Sequence, residues 1–112
     1  MSQKNLGIIG GGQLGSMLSQ AAKKLNIRTT IYSDDIDAPA QNFCDEFICG
    51  EYHNKKKVLE FVSKVDVITY EFENIPYETL NEMNKLKSVL PKPSVNRLIQ
   101  HRIAEKDFIN KL

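Results

Sequence analysis

Apolar residues along this chain follow two alternating periods. The apolar run Leu6-Gly7-Ile8-Ile9 feeds into Gly10-Gly11-Gly12-Gln13-Leu14-Gly15, after which Met17, Leu18, Ala21, Ala22 and Leu25 return at helical spacing. This predicts a strand, a glycine turn and a helix over residues 13–25, the opening of a doubly wound α/β domain. Residues 28–33 (Arg-Thr-Thr-Ile-Tyr-Ser) are β-branched and aromatic, hence a second strand that stops at Asp34-Asp35. Asp37-Ala38-Pro39-Ala40 reads as a loop leading into a short helical turn, and residues 46–49 as a short third strand closed by Gly50.

Asn54 suits the cap of a helix over residues 55–64, with Val58, Leu59 and Val62 facing inward. Residues 65–70 form the fourth strand. Pro76 belongs in the first turn of a further helix whose stripe is Tyr77, Leu80 and Met83. Ser88-Val89-Leu90 is a brief fifth strand, ended by Pro91-Lys92-Pro93, and Ser94 caps a last helix carrying Val95, Leu98, Ile99, Ile103 and Ile109. Strands alternating with helices across short loops predict a parallel sheet covered on both faces, with about five strands in the order 3-2-1-4-5. The helical pattern persists through Phe108-Ile109-Asn110-Lys111-Leu112 without a glycine cap or a polar tail. Residues 1–112 are therefore read as one domain that is a piece of something longer.

Composition changes this picture little. A net charge of +1 provides no basic field for nucleic acid, and Lys55-Lys56-Lys57 read as the solvated opening of a helix. No apolar run approaches the ~20 residues that cross a bilayer. Met-Ser-Gln-Lys-Asn leads into a strand rather than a signal-peptide pattern, so the expected compartment is the cytoplasm. Cys44 and Cys49, five apart, fit neither a redox nor a zinc motif and are read as small, reduced, half-buried side chains.

Chemistry in such a sheet belongs beyond the carboxyl ends of the strands, near the switch point between strands one and four. Gly10 and Gly12 allow a tight turn and close approach of a ligand, Gly15 allows close helix packing, and the first helical N–H groups face any bound anion. The plainest reading is a nicotinamide-binding domain, with Asp34 or Asp35 on the ribose about 20 residues past the glycines. Against it, no catalytic His, Lys or Tyr constellation follows, and Glu71 and Glu73 bring negative charge to where a pyrophosphate would lie. Carboxylates suit hydroxyls and an amine better, or they satisfy loop N–H groups. Arg102 falls on the inward stripe of the last helix, where it snorkels to the helix edge, pairs with a carboxylate, or contacts an anion or nucleotide at a domain seam. His53 and His101 have no companions at metal-ligand spacing, and no metal site is assigned.

Gly7-Ile-Ile-Gly-Gly-Gly-Gln-Leu-Gly15, taken with Thr69-Tyr-Glu-Phe-Glu-Asn74, resembles the N-terminal domain of the 5-(carboxyamino)imidazole ribonucleotide synthases, of the ATP-grasp superfamily. Asp37-Ala38-Pro39-Ala40, the Pro91/Pro93 segment and Gln100-His101-Arg102 followed by Lys106 support the resemblance, which covers residues 6–112. It implies an ATP-dependent carbon–nitrogen ligase of purine biosynthesis that carboxylates aminoimidazole ribonucleotide with bicarbonate, giving ADP and phosphate. Mg²⁺ would bridge the ATP phosphates.

By the same resemblance Gly10, Gly12, Gln13 and Glu73 line the ribonucleotide side, Arg102 contacts ATP, and the full-length protein is a homodimer. The catalytic groups would lie in the ATP-grasp domains, leaving these 112 residues inactive by themselves. Two positions depart from the family pattern: Ser16 stands where Arg or Lys is common, and His101 where Asp is common. Alternatives remain: a formate-dependent glycinamide ribonucleotide transformylase, which carries Glu at the place of Gln13, a nicotinamide-binding Rossmann domain, or a nucleotide-sensing module without catalysis.

Overall fold

Each strand is followed by a helix or helical turn that carries the chain back to the same end of the sheet, so all the strands run parallel. The computed structural model describes residues 4–70 and 75–90. The strands β1 (Asn5–Ile9), β2 (Arg28–Ser33), β3 (Glu46–Cys49) and β4 (Val67–Tyr70) lie in the order β3-β2-β1-β4. Around them sit α1 (Gln13–Lys24), a 3₁₀ turn (Pro39–Asn42), α2 (Lys55–Lys64) and α3 (Tyr77–Asn84). The segment expected as a fifth strand meets β4 in one parallel bridge, Ile68 with Val89, and among the described residues forms no strand. Residues 91–112, including the expected last helix with His101 and Arg102, lie outside the described residues, as do residues 71–74.

Alternation along the strands sends neighbouring side chains into two separate layers. Ile9, Tyr32, Ile68 and Tyr70 pack with Val58, Phe61, Val62, Leu80 and Met83. Ile8, Ile31 and Ala40 pack with Leu6, Leu18, Cys44 and Phe47 on the opposite face.

The helices form where the spacing predicts, but two present a different face. In α1 the buried residues are Gly15, Ser16, Ser19 and Ala22, whereas Met17 and Leu25 are 59% and 72% exposed. A helix seated closely against the 3₁₀ turn and the sheet selects small side chains over large ones. In α2, Leu59 points outward and Phe61 is fully buried instead. Gly7 in β1 makes room for it: a Cβ there would lie 2.7 Å from Phe61 Cζ. The helix is capped as expected, Asn54 Oδ1 accepting the Lys57 N–H at 3.2 Å. Pro76 stands just ahead of α3 as its cap, in extended conformation, rather than in its first turn.

Candidate functional site at the carboxyl edge of the sheet

β1 ends at Ile9, where three glycines turn the chain into α1. The Gly10 N–H continues the ladder by donating to Tyr32 O at 2.8 Å. Gly10 then takes φ 105°, a conformation that strains any residue with a Cβ. Gly12 caps α1 in extended conformation, and no side chain caps the helix. The N–H groups of Gln13 and Leu14 consequently have no hydrogen-bond partner among the described residues. Unpaired amides at the positive end of a helix suit an anion or a polar ligand. The Gln13 side chain is exposed beside them. Ser16 is buried and its hydroxyl donates to Gly12 O at 3.2 Å, so it serves the helix rather than the open edge.

The loop after β2 closes on itself. Ser33 Oγ accepts the Asp35 N–H at 3.1 Å, Asp35 Oδ1 accepts the Asp37 N–H at 2.9 Å, and Asp35 O accepts the Ala38 N–H at 3.1 Å. Asp35 thus lends one carboxylate oxygen to folding its own loop, and both Asp34 and Asp35 are exposed. Beyond β3, Gly50 N–H donates to Ser33 O at 3.0 Å and Lys57 Nζ donates to Cys49 O at 2.8 Å. Glu51 and His53 are exposed on this rim.

Beneath the rim the sheet joins the buried core under α2 and α3. The last rung of the sheet sets Ile48, Tyr32, Ile9 and Tyr70 side by side across all four strands. Burial pushes the phenols of both Tyr32 and Tyr70 above their ordinary range and keeps them neutral; at Tyr32 the nearby Cys49, Glu51 and Asp34 add to this. Tyr70 pairs with Ile9, so β4 delivers the chain to the rung that adjoins the glycine turn.

The structure therefore brings Gly10, Gly12 and Gln13 together at one turn, while Glu73 and Arg102 lie outside the described residues, as does Glu71. Among the described residues no group of three or more His, Cys, Asp or Glu could hold a metal ion. Cys44 and Cys49 are free and half-buried. A separate apolar groove of about 160 Å³ runs between α2 and α3, lined by Val58, Leu59, Val62, Met83 and Leu86, on a helical face rather than at the strand ends. Spacing alone missed three contributors to the edge: Gly11, Ala38 and the Tyr32 phenol. A third consecutive glycine and the small residues flanking Pro39 were the available signal.

Residues 3–100 match the family described as the ribonucleotide synthetase preATP-grasp domain. The N5-carboxyaminoimidazole ribonucleotide synthase of Brucella melitensis is 39% identical over 106 residues, which is 95% of this chain and 29% of that protein. The solved N5-carboxyaminoimidazole synthetase of Staphylococcus aureus, complexed with ADP, superposes with a TM-score of 0.82 at 34% identity, covering 96% of this chain and 30% of that one. The Aspergillus clavatus N5-carboxyaminoimidazole synthase, solved with ADP and 5-aminoimidazole ribonucleotide, gives 0.78 at 28% identity, covering 97% and 29%. The chain thus spans less than a third of the length of each of these three proteins.

Proposed function

This chain belongs to the ribonucleotide synthetase pre-ATP-grasp family, and we propose that it forms the ribonucleotide side of an ATP-dependent ligase that carboxylates 5-aminoimidazole ribonucleotide with bicarbonate. The observation that carries this reading is the amide-bearing glycine turn at the switch point between β1 and β4. Relatives solved with ADP, and one with ADP and the aminoimidazole ribonucleotide, support it.

In this reading ATP phosphorylates bicarbonate to carboxyphosphate, releasing ADP. The amine of the ribonucleotide attacks the carboxyl carbon, phosphate leaves with the bonding pair of the broken C–O bond, and the amine loses a proton. The backbone at Gly10, Gly12 and Gln13 holds the ribonucleotide by N–H donation and close approach. Glu73 accepts from a ribose hydroxyl or from the amine, which orients the nucleophile. Arg102 contacts ATP. Mg²⁺, which would neutralise charge on the ATP phosphates, is assigned to parts of the ligase beyond the described residues, since these offer no metal-ligating cluster. The full-length protein is proposed to be a cytoplasmic homodimer.

The nicotinamide reading keeps both ribose candidates, since Asp35 commits one carboxylate oxygen to its loop and is exposed like Asp34; the family match is what disfavours it. The test is ADP release by the full-length protein. It should require both aminoimidazole ribonucleotide and bicarbonate, and the 112-residue chain by itself should release none above background. Dependence on formate and glycinamide ribonucleotide would replace this reading with the transformylase.

A further inference from the structure

Gly11 occupies a variable position of the glycine spacing, yet it is tightly enclosed. A Cβ on Gly11 would fall 2.4 Å from the Ala38 Cβ, and 3.2 and 3.3 Å from Cβ and Oγ of Ser33. Among the described glycines Gly10 has a positive φ and Gly11 does not. Glycine is therefore needed at position 10 for conformation and at position 11 for space. The Gly11 carbonyl also accepts the Ala40 N–H at 2.9 Å. Ala38 and Ala40 are 2% and 0% exposed. The bonds at Ser33 and Asp35, with that from Gln41 Nε2 to Ile36 O at 2.9 Å, give the loop that presents them a fixed shape.

We propose that Ala38 is a positioning residue of this site. Its methyl group fills the space a Gly11 side chain would take, and together with the Ala40–Gly11 hydrogen bond it sets how far the glycine turn stands from the sheet. That height decides where the amides of the turn meet the ligand. The proposal rests on the reading that the turn faces the ribonucleotide. A methyl added at position 11 forces turn and loop apart; one removed from position 38 lets the turn settle.

The experiment is a size exchange in the full-length protein. Gly11→Ala should raise KM for aminoimidazole ribonucleotide by about tenfold or more and leave KM for ATP within about twofold. Adding Ala38→Gly removes the 2.4 Å overlap, leaves Ser33 at 3.2 Å as the nearest contact, and should restore most of the loss. Gly10→Ala, strained by its own φ, should not be restored by Ala38→Gly. If Gly11→Ala does not fold, Ala38→Gly alone, which lacks a single methyl, should raise the ribonucleotide KM by about two- to fivefold with KM for ATP unchanged. A double variant no better than Gly11→Ala, or a Gly11→Ala enzyme with both constants unaltered, overturns the role of Ala38. In the fallback, an Ala38→Gly enzyme identical to wild type does the same. A defect and rescue that fall on ATP keep Ala38 as a positioning residue and refute the ribonucleotide reading instead.

Discussion

The phenol of Tyr32 donates to the backbone carbonyl of Glu51 at 2.5 Å, fastening the rim beyond β3 to the end of β2. The same ring packs 5.7 Å from Phe61 and 6.0 Å from Tyr52, centroid to centroid. Tyr32→Phe keeps this packing and loses only the hydrogen bond. The Glu51 carbonyl still accepts the Asn54 N–H at 3.1 Å, so it is not left unsatisfied. The expected cost is therefore near the mean for a single hydrogen bond, about 0.5–1.5 kcal/mol, rather than the larger penalty of a buried orphan. A urea midpoint lowered by more than about 3 kcal/mol, once converted with the slope, would show that the phenol supports more than this rim.

Alkaline pH provides a second handle on the same group. Burial holds the Tyr32 and Tyr70 phenols above the ordinary 10.0, so the unfolded chain loses these protons first. Their contribution to stability is complete below pH 10.0 and declines as pH rises from there through the folded-state values. Lys64, its ammonium held charged by Glu46, loses its contribution in the alkaline range as well. Comparison with Tyr32→Phe isolates the phenol: the variant should show a shallower fall above pH 10.0. Parallel curves for the two proteins would contradict the assignment.

Glu73 and Arg102 carry separable predictions in the full-length enzyme. Each is assigned a charge-assisted hydrogen bond worth about 1.5–3 kcal/mol. Glu73→Gln should raise KM for the ribonucleotide roughly ten- to a hundredfold and spare that for ATP, and Arg102→Ala should do the reverse. If both substitutions weaken the same ligand, or if both lower the melting temperature and alter no kinetic constant, the two residues are structural.

NAD should bind more weakly than about 1 μM, which corresponds to about −8 kcal/mol. Glu71 and Glu73, which follow β4 in the sequence, bring negative charge to where the pyrophosphate of a dinucleotide would lie. Calorimetric titration giving a tighter constant would restore the nicotinamide reading.

The elements were readable because their signals are local. Residues 28–33 and 46–49 are bounded by turn-forming neighbours, and Asn54 announces α2; all three have the expected limits. β4 begins later than expected because Val65 caps α2 and the Asp66 carboxylate accepts the Asn5 N–H at 2.8 Å, before the ladder starts at Val67. The buried faces were less legible. Periodicity establishes a helix, but which stripe is buried depends on what it meets, and in α1 closeness favours Ser16, Ser19 and Ala22 over Met17 and Leu25. At the site, Gly10 and Gly12 follow from spacing. The fit of Gly11 against Ala38 does not, because it joins segments that are brought together only by the pairing of β1 with β2.

Placing β1 at the centre also constrains the order in which the molecule can be made. One edge of β1 is filled by β2, which follows soon after, but the other waits for β4. The bonds of Asn5 that close this second edge run to Lys64 and Asp66, far along the chain. A nascent chain emerging from the ribosome thus carries its glycine turn long before both flanks of that turn exist, and during this interval β1 presents an edge of unpaired backbone N–H and C=O groups. Long-range parallel pairing is slow and exposes chains to aggregation, so the segment that carries the glycine turn depends for its second flank on the synthesis of later residues.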